Sequence, residues 1–191
     1  MAKLLENFHL ALITGVVLML VLLFGVHGDS LSALEVPVLQ YIHTFFGILW
    51  IGLLYYFNFV QIPTMPKVPA ELKPGISKYI APAALFWFRW AALATIILGL
   101  ILSMRSGYLA EALTLQEGYR LIGIGMWLGL IMAANVWFII WPNQKRALGI
   151  VEADDATKAK SARVAMLGSR TNLVLSIPML YAMTTFTPLP A

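Results

Sequence analysis

Long apolar runs separated by short polar stretches dominate the chain. They cover Leu10–Val26, Val36–Ile62, Ile80–Met104, Leu121–Trp141 and Val164–Thr187. A helix needs about 17–25 such residues to cross roughly 30 Å of hydrocarbon. The pattern predicts an all-α integral membrane protein, a bundle of five transmembrane helices. Its connections are short, so neighbouring helices should run antiparallel. No internal repeat or change of composition marks a second unit, and residues 1–191 read as a single helical membrane domain.

Punctuation refines the boundaries. Pro37 and Pro82 suit the first turns of the second and third helices, where a missing N–H costs nothing. Pro142 is expected to end the fourth helix. Pro63, Pro66, Pro69 and Pro74 give the connection Pro63–Tyr79 an extended, semi-rigid character. The segment Gly107–Gly118 is amphipathic enough to lie in the interface. Asp154 or Asp155 reads as an N-cap, so the last helix should begin in water before entering the bilayer. The outer loop Gly28–Glu35 is short and acidic, and His27-Gly28-Asp29-Ser30 offers no small-residue cleavage site. The first run is therefore expected to be a retained anchor.

Composition and charge sharpen this picture. Sixty percent of residues are hydrophobic, 12% are charged, and the mean hydropathy is +0.82, which excludes a soluble globular domain. The pI near 9.4 raises nucleic acid as a partner, but the basic residues flank the apolar runs and read better as topology signals. Lys3, Lys67, Lys73, Lys78, Lys145, Arg146, Lys158, Lys160 and Arg163 fall on one side; Arg105 and Arg120 fall on the other. That bias places the N-terminus in the cytoplasm and the C-terminus in the periplasm, for a multi-pass protein of a bacterial inner membrane. The chain has no cysteine, which excludes disulfides, cysteine-held iron–sulfur clusters and covalent c-type haem.

Two polar constellations interrupt the runs. His43, Gly47, Trp50, Leu54 and Asn58 share one helix face. Histidine can ligate haem iron, and a glycine one turn on lets a flat porphyrin approach, so a b-type haem is one reading. The other is that His43 hydrogen-bonds a neighbouring helix while Gly47 permits close packing. A second axial ligand would be His27, which is nearer in depth than His9, or His43 of a second copy. No other metal site is expected.

Arg89 and Arg170 both lie on the order of 10 Å inside the inner boundary, with Asn58, Asn135 and Asn172 at similar depth. No Asp or Glu occupies any run. A guanidinium in hydrocarbon needs a partner, so these residues are candidates to hold an anionic substrate, a haem propionate or a lipid headgroup. Snorkelling towards the headgroups is the alternative. Gly125, Gly129 and Ala133 form a small-residue stripe, suited to packing within the chain or to a dimer seam. Trp137 and Trp141 read as interfacial anchors.

Two stretches, His43-Thr-Phe-Phe-Gly47-Ile-Leu-Trp50-Ile-Gly52-Leu-Leu-Tyr55-Tyr56-Phe-Asn58 and Asn135-Val-Trp137-Phe-Ile-Ile-Trp141-Pro142-Asn143-Gln144-Lys145, resemble the membrane domain of bacterial membrane-bound urate hydroxylases. Ser169-Arg170-Thr171-Asn172 through Ser176-Ile-Pro178 is similar to the last span of that domain. The resemblance touches the second, fourth and fifth runs. It implies a membrane domain followed by an external cytochrome c domain that accepts electrons from urate oxidation. This chain departs from that layout. It has fewer spans, lacks a following cytochrome and its haem-attachment cysteines, and carries Thr171 where family members often have His.

Two functions follow. One is an accessory or structural subunit of a membrane redox complex, packed against other membrane subunits or copies of itself and holding a b-type haem. The other is a urate hydroxylase-like oxidoreductase that passes electrons to a separate cytochrome c or quinone. In the latter, Arg89 and Arg170 would hold urate and His43 would serve the redox centre. Transport of a small anion lacks the repeats or paired broken helices it would call for.

Overall fold

The computed structural model describes residues 2–28 and 33–186. Asp29 and Ser30 of the outer loop, and Thr187 at the end of the fifth run, lie outside the described residues. Helices joined by short turns make up the described residues, none of which lies in a strand. The chain divides into two units, Met1–Leu39 and Gln40–Ala191.

The first unit contains α1 (Ala2–Glu6) and α2 (Phe8–His27). Asn7 starts α2 as its N-cap: the side-chain oxygen accepts from His9 N at 3.0 Å and Leu10 N at 3.2 Å. These bonds satisfy N–H groups that no helical carbonyl can reach. Beyond Thr14, α2 is apolar all round, the composition of a span rather than of a surface helix.

The second unit is built from α3 (Glu35–Lys67, whose first residues belong to the first unit), α4 (Lys73–Arg105), the short α5 (Leu109–Leu113), α6 (Arg120–Ala147) and α7 (Asp155–Thr185). With α2, helices α3, α4 and α6 are long and apolar enough to cross a membrane. At 31 residues α7 is long enough, but Ser169, Arg170, Thr171, Asn172 and Ser176 lower its apolar character.

The proline-based boundaries need correction. Helix α3 runs on to Lys67, α4 already begins at Lys73, and α6 passes through Pro142 to Ala147. A π turn precedes each proline concerned: Tyr56–Gln61 before Pro63, Ile76–Ile80 before Pro82, and Val136–Ile140 before Pro142. In each case the residue just before proline donates five positions back: Ile62 N to Phe57 O, Ala81 N to Ile76 O, and Trp141 N to Val136 O. Proline breaks a regular helix by clashing with the carbonyl four residues back and by lacking an N–H. The wider turn eases that crowding, so the helix continues.

The core of the second unit joins Trp50, Leu54 and Phe57 of α3 to Leu85, Phe88 and Ala92 of α4. Met132, Val136 and Ile140 of α6 and Met179 of α7 complete it. A smaller cluster seats α5 on α6 through Ala112, Ile122 and Met126, with Tyr108, Tyr119 and Phe186 around it. Leu115 holds φ at 56°, an unusual value for a non-glycine residue, and this aims its side chain at Gly123. A Cβ at Gly123 would overlap the Ala112 carbonyl, so only glycine admits this approach.

Candidate functional site

His43 sits on the α3–α4 seam. Its Nδ1 lies 2.9 Å from the Thr95 carbonyl oxygen, which can only accept, so Nδ1 carries the proton. The other ring nitrogen, Nε2, is then left with its lone pair. The imidazole packs against Gly99, where a Cβ would come within 2.8 Å of Cε1. A Cβ at Gly47, one turn along α3, would meet the Thr95 methyl at an ordinary 3.8 Å. The two glycines thus differ: Gly99 makes room for the ring, whereas Gly47 has space for a methyl. His27 closes α2 in the first unit.

The three asparagines meet along α7: Asn58 and Asn135 reach it from α3 and α6, and Asn172 projects from it towards α6. Asn135 Nδ2 donates to Gly168 O at 2.8 Å and to Asn172 Oδ1 at 2.7 Å. Asn172, fully buried, donates from Nδ2 to Met132 O at 3.0 Å. Asn58, in the first π turn, donates to Leu54 O at 2.9 Å and to Ser169 Oγ at 2.8 Å. Higher along α7, Tyr55 OH and Ser176 Oγ are 3.2 Å apart, and Ser176 donates to Leu173 O at 2.7 Å. Ser169 and Ser176 therefore belong to the polar seam, although nothing in their spacing singled them out. Four buried polar atoms have no partner among the described residues: Asn58 Oδ1, Gln61 Oε1, Trp50 Nε1 and Trp137 Nε1.

The arginines part company. Arg170 follows the buried Ser169 on α7 but is itself exposed. Arg89 is half-buried on α4. Its guanidinium stacks 3.9 Å from the centre of the Trp141 ring and 5.3 Å from that of Phe86. The Arg89 Nη1 contact to Leu85 O is a long 3.4 Å. Lys145 Nζ approaches the same Trp141 ring at 5.8 Å. Trp141 is thus a platform for two cations. Trp137 packs edge-on against Trp90 of α4, with ring centres 5.4 Å apart.

The small-residue stripe of α6 is filled within the chain. A Cβ at Gly125 would meet Ala182 Cβ at 3.0 Å and Met183 Cε at 3.3 Å on α7, and one at Gly129 would meet Ile96 Cδ1 at 3.6 Å on α4. Ala133 is buried beside them.

The fold and this polar seam define an all-helical membrane protein whose helices are cross-linked by asparagine and serine. Residues 116–186 match the family described as urate oxidase N-terminal, consistent with the resemblance carried by Asn135–Lys145 and Ser169–Pro178. The matched stretch spans all of α6 and α7, including the Asn135–Asn172 pair. No curated protein and no solved structure matches the chain.

Proposed function

We propose that this protein is a structural subunit of a membrane redox assembly, built on the helical scaffold of the urate hydroxylase membrane domain. It would cross a bacterial inner membrane five times, with α7 as the last span and the N-terminus in the cytoplasm. The observation that carries the reading is the fate of the polar side chains. Asn135 and Asn172 donate to neighbouring helices, and Asn58 donates across to Ser169 Oγ, which accepts. Interhelical hydrogen bonds of this kind join membrane helices, and they leave those donors unavailable for a substrate.

His43 would serve as one axial ligand of a b-type haem. Its Nδ1–H is held by a backbone carbonyl, the outer contact that commonly orients a ligating imidazole and leaves Nε2 basic. Bound there, a haem would supply one-electron chemistry. Gly47 faces Thr95 of α4, where an added Cβ would make an ordinary contact at 3.8 Å, so it lies on the helix seam.

Urate oxidation with electrons passed to a separate cytochrome c or quinone is the second reading, favoured by the family match itself. Purified protein supplied with urate and a quinone or cytochrome c acceptor separates the two. The subunit reading expects no urate-dependent reduction, and reduction that is lost in Arg89→Ala would establish the enzyme. A Soret band present in the wild type and lost in His43→Ala would establish the haem ligand. Single cysteines placed at Lys158 and Glu111 in this cysteine-free chain test topology, with only the first labelled from the cytoplasm.

A further inference from the structure

We propose that Arg89, Trp141 and Lys145 form a binding site for the phosphate of an anionic phospholipid, on the seam between α4 and α6. This inference does not depend on the redox reading. Arg89 lies within a helix long and apolar enough to cross a bilayer, where a guanidinium is costly without a counter-charge. Its protein contacts are the Trp141 and Phe86 rings and one long bond to Leu85 O. The guanidinium has five N–H donors in a planar fork suited to phosphate oxygens, and most of them remain unused.

Lys145 approaches the same indole. Two cations drawn to one ring repel each other unless an anion sits between them. Neither has a carboxylate partner among the described residues, and the one exposed ion pair resolved nearby in sequence joins Lys158 to Asp155. A counter-anion for this pair would therefore come from outside the described residues. Basic pockets between membrane helices are a recurrent way of holding lipid headgroups.

The surroundings distinguish a lipid phosphate from a free one. Phe86, Trp87 and Trp90 of α4, and Phe138 and Ile139 of α6, are between 45% and 79% exposed. They flank the two cations with apolar surface. Acyl chains lying along that surface would place their phosphate at the Arg89 fork. Inorganic phosphate would gain nothing from it.

The test uses full-length protein in detergent, with native mass spectrometry to measure retention of phosphatidylglycerol against phosphatidylcholine. The wild type should prefer the anionic lipid, and Arg89→Gln and Lys145→Gln should each lower that preference about fivefold. Arg163→Gln, which removes an exposed cation from α7, should leave it unchanged. Lys145 lies in the last turn of α6, so its variant keeps the test valid where Arg89→Gln folds poorly. Equal retention of the two lipids by the wild type would overturn the proposal. So would an equal fall in Arg163→Gln, which would mark simple charge attraction. Displacement of phosphatidylglycerol by inorganic phosphate would overturn the lipid assignment.

Discussion

Asn135 and Asn172 form a directed relay across the α6–α7 interface: Asn135 Nδ2 donates to Asn172 Oδ1 at 2.7 Å, and Asn172 Nδ2 donates onward to Met132 O at 3.0 Å. The second bond returns to the helix from which the first departs. Both amides are buried, so breaking the relay strands a polar group where water is scarce. The π turn Val136–Ile140 begins immediately after Asn135. Removing one amide therefore disturbs both the helix contact and its most irregular stretch.

Asn172→Ala should destabilise the protein by about 1–3 kcal/mol, the cost of leaving a buried partner unsatisfied. The Asn135→Ala and Asn172→Ala penalties should sum to more than that of the double variant, because the two residues share one network. Asn143, whose amide bonds Ile139 O within its own helix, should tolerate Ala within about 0.5 kcal/mol. Thermal unfolding of the four variants in one detergent checks the order. Equal effects at Asn143 and Asn172 would contradict the relay.

Gly123 and Gly52 should respond to alanine with opposite signs. At Gly123 the new methyl meets the Ala112 carbonyl and Leu115 Cδ2, so overpacking should cost about 1–3 kcal/mol. At Gly52 nothing lies within 4 Å, and the helical gain of Ala over Gly should stabilise by about 0.5–1 kcal/mol. The two unfolding midpoints, measured against the wild type, should move in opposite directions.

Much of this architecture was legible in the pattern of apolar runs, since span length is set by bilayer thickness and backbone satisfaction. The N-cap at Asp154 was legible too, because its chemistry is local. Pro63, Pro82 and Pro142 misled, because a π turn is a property of several residues and has no composition signal. Arg89 and Arg170 were expected at similar depth from their distance along the apolar runs, yet position along an axis does not fix azimuth: one stacks on Trp141 and the other is exposed. The roles of Thr95, Gly99 and Ser169 depend on partners 52 to 111 residues away, which no local spacing encodes. Asn58, Asn135 and Asn172 were expected to hold an anion, whereas in the structure their amide donors bond the protein's own helices.

His43 should exist as the Nδ1-protonated tautomer, because the Thr95 carbonyl offers only an acceptor. Nitrogen NMR of ring-labelled histidine reports this directly. Gly99→Ala would press a methyl against Cε1 and Nδ1. It should displace the ring and erase the tautomer preference, at a cost of about 1–2 kcal/mol. An unchanged spectrum in Gly99→Ala would mean that the ring does not lie on that glycine.

Asp154 makes the start of α7 sensitive to acid. Its carboxylate accepts from Thr157 N at 2.8 Å and from Thr157 Oγ1 at 2.7 Å. These bonds hold its pKa below the ordinary 3.8, the backbone bond contributing most. A carboxyl with a depressed folded pKa adds stability above its unfolded pKa and loses it as pH falls through the folded value. The cap should therefore be fully formed at neutral pH and weaken below about pH 4. Amide exchange at Thr157 should accelerate on acidification beyond the intrinsic chemical dependence, while amides deep in α7 keep their protection. Asp154→Asn retains a good capping side chain without a titrating proton, so it should remove that extra pH dependence while preserving protection at neutral pH. A cap that frays identically with acid in both proteins would show that another group controls the start of the helix.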